Sequence, residues 1–282
     1  MPKYIDIHSH VNFKVFDEDR DAVIKRALAD DTWVINVGTQ VDTSRDAVSL
    51  TSQYESGVYA IVGLHPIHTG ASYHDEKELG EGGVEFTSRG EVFNKDIYRE
   101  FLKDPKVVGI GECGLDYYRC TPESIEMQKK AFIEQIELAN ETNKPLMLHI
   151  RCGSKDKTKQ EGQAYTDALE ILKAHAKVKG DVHFFAGDWS DAQGYLDFGF
   201  TLSFTGVITF THDYDEVIRN TPMSMIMSET DSPYVSPVPY RGKRNEPMHV
   251  SEVVKKIADI KGLSLDEVSE AIIANAKRVF NI

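Results

Sequence analysis

The chain opens with YIDIHSH (residues 4–10), an apolar stretch that sets Asp6, His8 and His10 at alternate positions. In an extended strand, residues two apart project to the same side, so these polar groups converge on one spot near the strand's end. The same kind of segment recurs along the chain. TWVINVGT, VYAIVGLHP, VVGIGECGLD, PLMLHIR, VHFFAG, FTLSFTG and SMIMSETDSP are each short, rich in Val, Ile, Leu and Phe, and closed by polar or small residues. The closing markers fall at positions 10, 38, 65, 112, 149, 183, 206 and 231. Most of the intervening stretches carry helical spacing, and strands alternating with helices predict a parallel sheet. Eight such units predict an α/β fold, one closed (β/α)8 TIM barrel that uses residues 1–282 as a single domain.

Local signals agree with that plan. Thr121-Pro122 reads as an N-cap and first helical residue, with Ile125, Phe132, Ile136 and Ala139 following on one face until Asn143. Ser264 and Glu267 read as a capping box ahead of Val268, Ala271, Ile272 and Phe280. The longest interval, from 65 to 112, holds a polar segment at 68–96 with GEGG at 80–83, expected to be an inserted loop. A shorter insertion, SKDKTKQEGQ at 154–163, follows the fifth strand.

Composition bounds the function. No apolar run reaches the 18 or more residues expected of a membrane-spanning helix, and acidic Asp6 interrupts any secretory leader pattern. Three cysteines, Cys113, Cys120 and Cys152, form no CxxC pair, which argues against thiolate zinc or a disulfide framework. A cytoplasmic protein is expected. The net charge of −13 excludes a generally basic surface gripping nucleic acid, so an anionic substrate needs local positive charge.

Reactive groups in parallel barrels collect at the mouth where the strands end. The strand ends carry Asp6, His8, His10, His65, Glu112, His149, His183 and Asp231, including five of the ten histidines. Imidazoles and carboxylates without thiolates suit a hydrolytic divalent-metal centre of Zn, Mn or Fe(II), with Mg less at home among histidines. There are enough ligands for two ions, which together can polarise an ester or phosphoryl oxygen and stabilise a departing one.

DIHSH (6–10), GLHP (63–66), GECGLDYY (111–118), LHIR (148–151), HFFAG (183–187), ETDSPYVSP (229–237), RGKRNEP (241–247) and NAKRVF (275–280) together resemble TatD-type metal-dependent deoxyribonucleases. DxHxH alone is shared by several amidohydrolase branches, whereas GExGLD with ETDSP and GKRNEP is specific. The resemblance runs from residue 6 to residue 280. It implies a barrel hydrolase of the amidohydrolase superfamily with two divalent metal ions (Zn, Mn or Mg), cleaving phosphodiester bonds with DNA as substrate, from single-stranded 3′ ends. It further implies that His8, His10 and Asp231 hold one ion, that His149 and His183 hold the other, and that Glu112 bridges them. Asp231 would accept the proton of the attacking water, and Asp6 would orient a ligating histidine.

His65 and Arg151 are then candidates for gripping a substrate phosphate. Arg241, Lys243 and Arg244, with Lys155, Lys157 and Lys159, could form a basic funnel on the catalytic face. Tyr117, Tyr118, Phe185 and Tyr234 could stack bases or simply pack. No membrane and no obligate protein partner is implied. Two alternatives remain at this stage. One is a two-metal amide or ester hydrolase such as a deacylase; many such enzymes bridge their ions with a modified lysine where this chain has Glu112. The other is a non-catalytic nucleic-acid-binding or scaffold barrel, disfavoured because all six ligand candidates are present. His68 and the two insertions depart from the family pattern.

Overall fold

The first and last strands of the chain meet in the computed structural model, which describes residues 2–74 and 86–282. Eight parallel strands stand side by side in sequence order: β1 (Tyr4–Ser9), β2 (Thr32–Val37), β3 (Val58–Val62), β4 (Val107–Asp116), β5 (Leu146–Arg151), β6 (Gly180–Val182), β7 (Thr201–Phe204) and β8 (Ile226–Ser228). A parallel bridge between Ser9 and Ser232 closes the ring. Two main-chain bonds support it, His10 N–H to Ser232 O at 2.8 Å and Asp231 N–H to His8 O at 2.9 Å. This is the expected TIM barrel, with β6, β7 and β8 shorter than their apolar segments, so that His183 and Asp231 lie just beyond strand ends.

The helices that cover the sheet follow their local signals. Thr121 Oγ1 accepts from Ser124 N–H to start the long helix Pro122–Thr142, and Asn143 ends it in the left-handed conformation at φ 52°. Its buried face includes Ile125, Phe132, Ile136 and Ala139. The last helix, Leu265–Phe280, starts at the expected Ser264–Glu267 box and buries Val268, Ile272 and Phe280. These faces pack on the outside of strands whose own residues are almost wholly buried. Fully burying one such Phe or Ile side chain contributes about 1.5–3 kcal/mol.

The segment at 68–96 differs from the plain loop expected of it. Ala71–His74 and Phe86–Arg89 pair as an antiparallel hairpin, and a short helix, Lys95–Phe101, begins at the segment's end. The GEGG at 80–83 lies outside the described residues. Neither four-residue strand, ASYH or FTSR, is long enough to show an alternating apolar pattern in the sequence.

Asp6 turns its carboxylate toward β8 instead of toward an imidazole. It accepts from Thr230 N–H at 2.9 Å, Thr230 Oγ1–H at 2.5 Å and His8 N–H at 3.2 Å. The expected role in orienting a histidine ring is therefore corrected: Asp6 ties the last strand to the first. The β1 pairing slips by one residue between Asp6 and Ser9, which breaks the simple alternation. Asp6→Ala would leave three buried donors without an acceptor, and unfolding in urea should show a loss on the order of 3 kcal/mol. Asp6→Asn, which keeps one acceptor oxygen, should lose less.

Candidate metal centre

Glu112 is the centre of the barrel mouth. The β4–β5 register runs from Ile110 opposite Leu146 to Cys113 opposite Leu148, three residues against two, so a bulge re-aims the side chain at 112. Gly111 makes this possible: its φ is +158°, and a Cβ there would lie 2.5 Å from Met147 O. Five imidazoles surround the carboxylate that results. Oε2 faces His8 Nε2 at 3.4 Å and His10 Nε2 at 3.6 Å. Oε1 faces His183 Nε2 at 2.9 Å, His149 Nδ1 at 3.2 Å and His65 Nε2 at 3.3 Å. Asp231 Oδ1 joins the first set, 3.4 Å from His10 Nε2 and 3.8 Å from His8 Nε2.

Outer hydrogen bonds decide which nitrogen of three of these rings faces inward. His149 Nε2 meets Asp116 Oδ2 at 2.8 Å, so its Nδ1 lone pair points at Glu112. His183 Nδ1 meets Glu229 Oε2 at 3.2 Å, leaving Nε2 inward, and His10 Nδ1 meets Val37 O at 2.9 Å with the same result. Glu229 also lies 3.7 Å from His8 Nδ1, under two rings that stack at 3.8 Å. His65 differs. Its Nδ1 accepts from Ile67 N–H at 3.1 Å, so the neutral ring carries its proton on Nε2. Although His65, Glu112 and His149 lie close enough together to form a ligand set, His65 thus presents an N–H donor at the cleft wall, facing Glu112 Oε1 at 3.3 Å.

Without bound ions, the cluster's charges are held by protons. Burial would raise the Glu112 carboxyl, but His65, His183 and His8 outweigh it and keep the group well below the usual carboxylate range. Burial would lower His183, yet Glu229 and Glu112 on its two sides lift it well above an ordinary imidazole. His65 is pushed down to about 4, first by burial and then by His149, so it stays neutral.

The donor set suits divalent cations. Atoms bound to one ion at about 2.0–2.2 Å stand about 3.0–3.6 Å apart. The separations among His8, His10, Glu112 and Asp231, and those among His149, His183 and Glu112, are close to that spacing, with His183 Nε2 3.5 Å from His149 Nδ1. Imidazole and carboxylate without thiolate could hold Zn, Mn or a similar ion, oriented by Asp116 and Glu229. The cluster opens on a cleft of about 370 Å³ lined also by Phe13, His68, Arg151, Phe184, Tyr234 and Val235.

The structure brings together His8, His10, His65, Glu112, His149, His183 and Asp231, and Arg151 reaches the same cleft. The expected basic funnel is largely committed elsewhere. Arg244 pairs with Asp19 through both terminal nitrogens, at 2.9 and 2.6 Å, and sits over the Phe16 ring, anchoring the last loop. Arg241 stacks on Phe210 and donates to Ser236 O. Lys157 is bound by Asp188 and Asp191, both at 2.8 Å. Lys159 lies 3.8 Å from Asp156. Arg241, Lys243 and Arg244 are not among the residues that line the cleft. Tyr117 and Phe185 are buried in the core, so they pack and stack no base. Asp116, Glu229 and Phe184 are the site residues that sequence reasoning missed. Asp116 and Glu229 stand inside GLDYY and ETDSP, and acids beside ligand positions were the signal available.

Comparison with known proteins follows this geometry. The family model for TatD related DNase matches residues 5–281. YabD of Bacillus subtilis, described as an uncharacterized metal-dependent hydrolase, is 33% identical over 98% of both chains. YcfH of Escherichia coli K12, described likewise, is 30% identical over 99% of this chain and 96% of its own. The crystal structure of YjjV, a TatD homolog from Escherichia coli K12, superposes with a TM-score of 0.80 at 24% identity, covering 99% of this chain and 98% of YjjV. On its sequence, its barrel and its relatives, this chain belongs to the TatD family of metal-dependent hydrolases.

Proposed function

We propose that this protein is a phosphodiester hydrolase with two divalent ions at its barrel mouth, a deoxyribonuclease acting on DNA ends. The observation that carries this is the division of Glu112 between two ligand sets, His8, His10 and Asp231 on one side and His149 and His183 on the other. A cleft with an imidazole N–H and a guanidinium beside those sets suits a bond whose oxygens bear negative charge. Ions bound there would polarise a phosphoryl oxygen and lower the pKa of water.

The chain's own groups do the rest. Asp231, part-exposed at the cleft, takes the proton of the attacking water. His65 donates from Nε2 to a non-bridging oxygen, a role its low pKa suits because the ring stays neutral with that proton in place. Arg151, stacked 4.0 Å over Tyr118, offers its fork to the same anion. Asp116 and Glu229 keep His149 and His183 turned so that lone pairs face inward.

Loading with Mn or Zn followed by elemental analysis should give two equivalents per chain, and end-labelled single-stranded DNA should be shortened. Asp231→Asn should lower kcat by about 10²–10⁴-fold with its fold intact. Glu112→Gln should lose metal as well as activity. Full activity in both variants would defeat the two-ion proposal. Hydrolysis of amide or simple carboxylic ester substrates, with none of DNA, would favour the deacylase alternative.

Glu229→Gln and Asp116→Asn should weaken metal affinity by about 10–100-fold while leaving the inner ligands in place, as a binding titration would read. Metal affinity should also depend on pH. The His183 proton, held above its ordinary pKa in the metal-free protein, adds stability fully present below 6.5 and lost as pH rises through the raised value. An ion must displace that proton, so affinity falls as pH drops, roughly tenfold per unit for each proton released. The gain in thermal midpoint on adding Zn or Mn should therefore grow from about pH 6 to about pH 8.

A further inference from the structure

The cleft has two unlike sides. His65, His68 and Arg151, from the ends of β3 and β5, supply polar groups, while Phe184, Tyr234 and Val235, beyond β6 and β8, supply apolar surface. Phe184 follows His183 directly, and its ring stands 6.2 Å from that imidazole at 81°. It is only half-buried, unlike its neighbour Phe185, which packs into the core.

Two of these apolar residues hold a backbone that side chains rarely adopt. Phe184 has φ +45° and Val235 has φ +46°, and a β-branched residue in that region is strongly disfavoured. Each is kept there by its surroundings. Phe184 N–H donates to Glu229, the carboxylate that also orients His183. Val235 lies in a segment folded across the end of β7, where a Cβ on Gly206 would lie 2.4 Å from Val235 O and 2.8 Å from Pro237 N. A glycine at 184 or 235 would take either conformation without strain. What the strained backbone preserves is therefore the two side chains, an aromatic face beyond β6 and a branched aliphatic one beyond β8, both lining the cleft.

We propose that Phe184 and Val235 form a subsite for a planar nucleobase next to the scissile bond, with Phe184 as its stacking face. This rests on the phosphodiester reading and adds which part of the substrate is recognised. Phe184 lines the same cleft as the cluster, with its ring 6.2 Å from that of His183, so a base stacked on it would lie beside the ligand candidates. Aromatic stacking of a base is sequence-tolerant, because every base has a π-face, so the subsite selects nucleotides over plain phosphate esters without choosing among sequences.

The test compares thymidine 5′-monophosphate with 2-deoxyribose 5-phosphate by calorimetry on the metal-loaded protein. Wild type should bind the nucleotide about 5- to 150-fold more tightly, the value of one base stack. Phe184→Ala should bring the ratio to within about twofold of one, and Phe184→Tyr, which keeps the planar face, should restore most of it. A wild-type ratio near one, an unchanged ratio in Phe184→Ala, or no binding of either ligand would each overturn the subsite. Hydrolysis of thymidylyl-thymidine with Mn or Zn is measured alongside. Nucleotide preference without hydrolysis would overturn the phosphodiester reading while the subsite stands.

Discussion

A carboxylate enclosed by five imidazoles sets the terms for the rest of this molecule. Burial alone would neutralise Glu112, yet its neighbours keep it ionised. That balance is possible only if each ring presents a particular nitrogen, and ring orientation in turn depends on groups one layer further out. Asp116, Glu229 and the Val37 carbonyl fix three of the rings. The backbone follows the same demand, since the Gly111 bulge exists to deliver Glu112 to the point where the rings converge. Packing beneath the mouth is conventional by comparison.

Much of this was readable from the sequence because barrels place chemistry at strand ends. His8, His10, Glu112, His149, His183 and Asp231 could be found by marking where apolar segments stop, with no knowledge of contacts. What could not be read was pairing across the chain. Arg244 looked like a substrate contact because its partner, Asp19, lies 225 residues away in sequence. Asp6 looked like support for a histidine because the β1 bulge, which redirects it, leaves no mark in composition. Phe185 drew attention over Phe184 for a related reason. Just past β6 the chain turns left-handed at Phe184, and strand parity no longer says which side chain faces the cleft.

The distribution of positive charge shows a similar economy. In a chain of net charge −13, Lys157 and Arg244, two of the cations expected to attract a polyanion, instead hold loops against acidic partners. Each such exposed pair contributes little to stability. Among the residues that line the cleft, Arg151 carries the guanidinium. On the proposed phosphodiester reading, affinity for an anionic substrate would depend on metal occupancy.

The bond from Thr230 to Asp6 spans 224 residues of sequence, and the ligand positions run from His8 to Asp231. Contacts of such separation form late, since the entropy of closing so large a loop opposes them until the intervening units are in place. During synthesis the ribosome releases His8 long before Asp231 exists. A chain still being made therefore lacks the complete set of residues from its two ends that this site draws together.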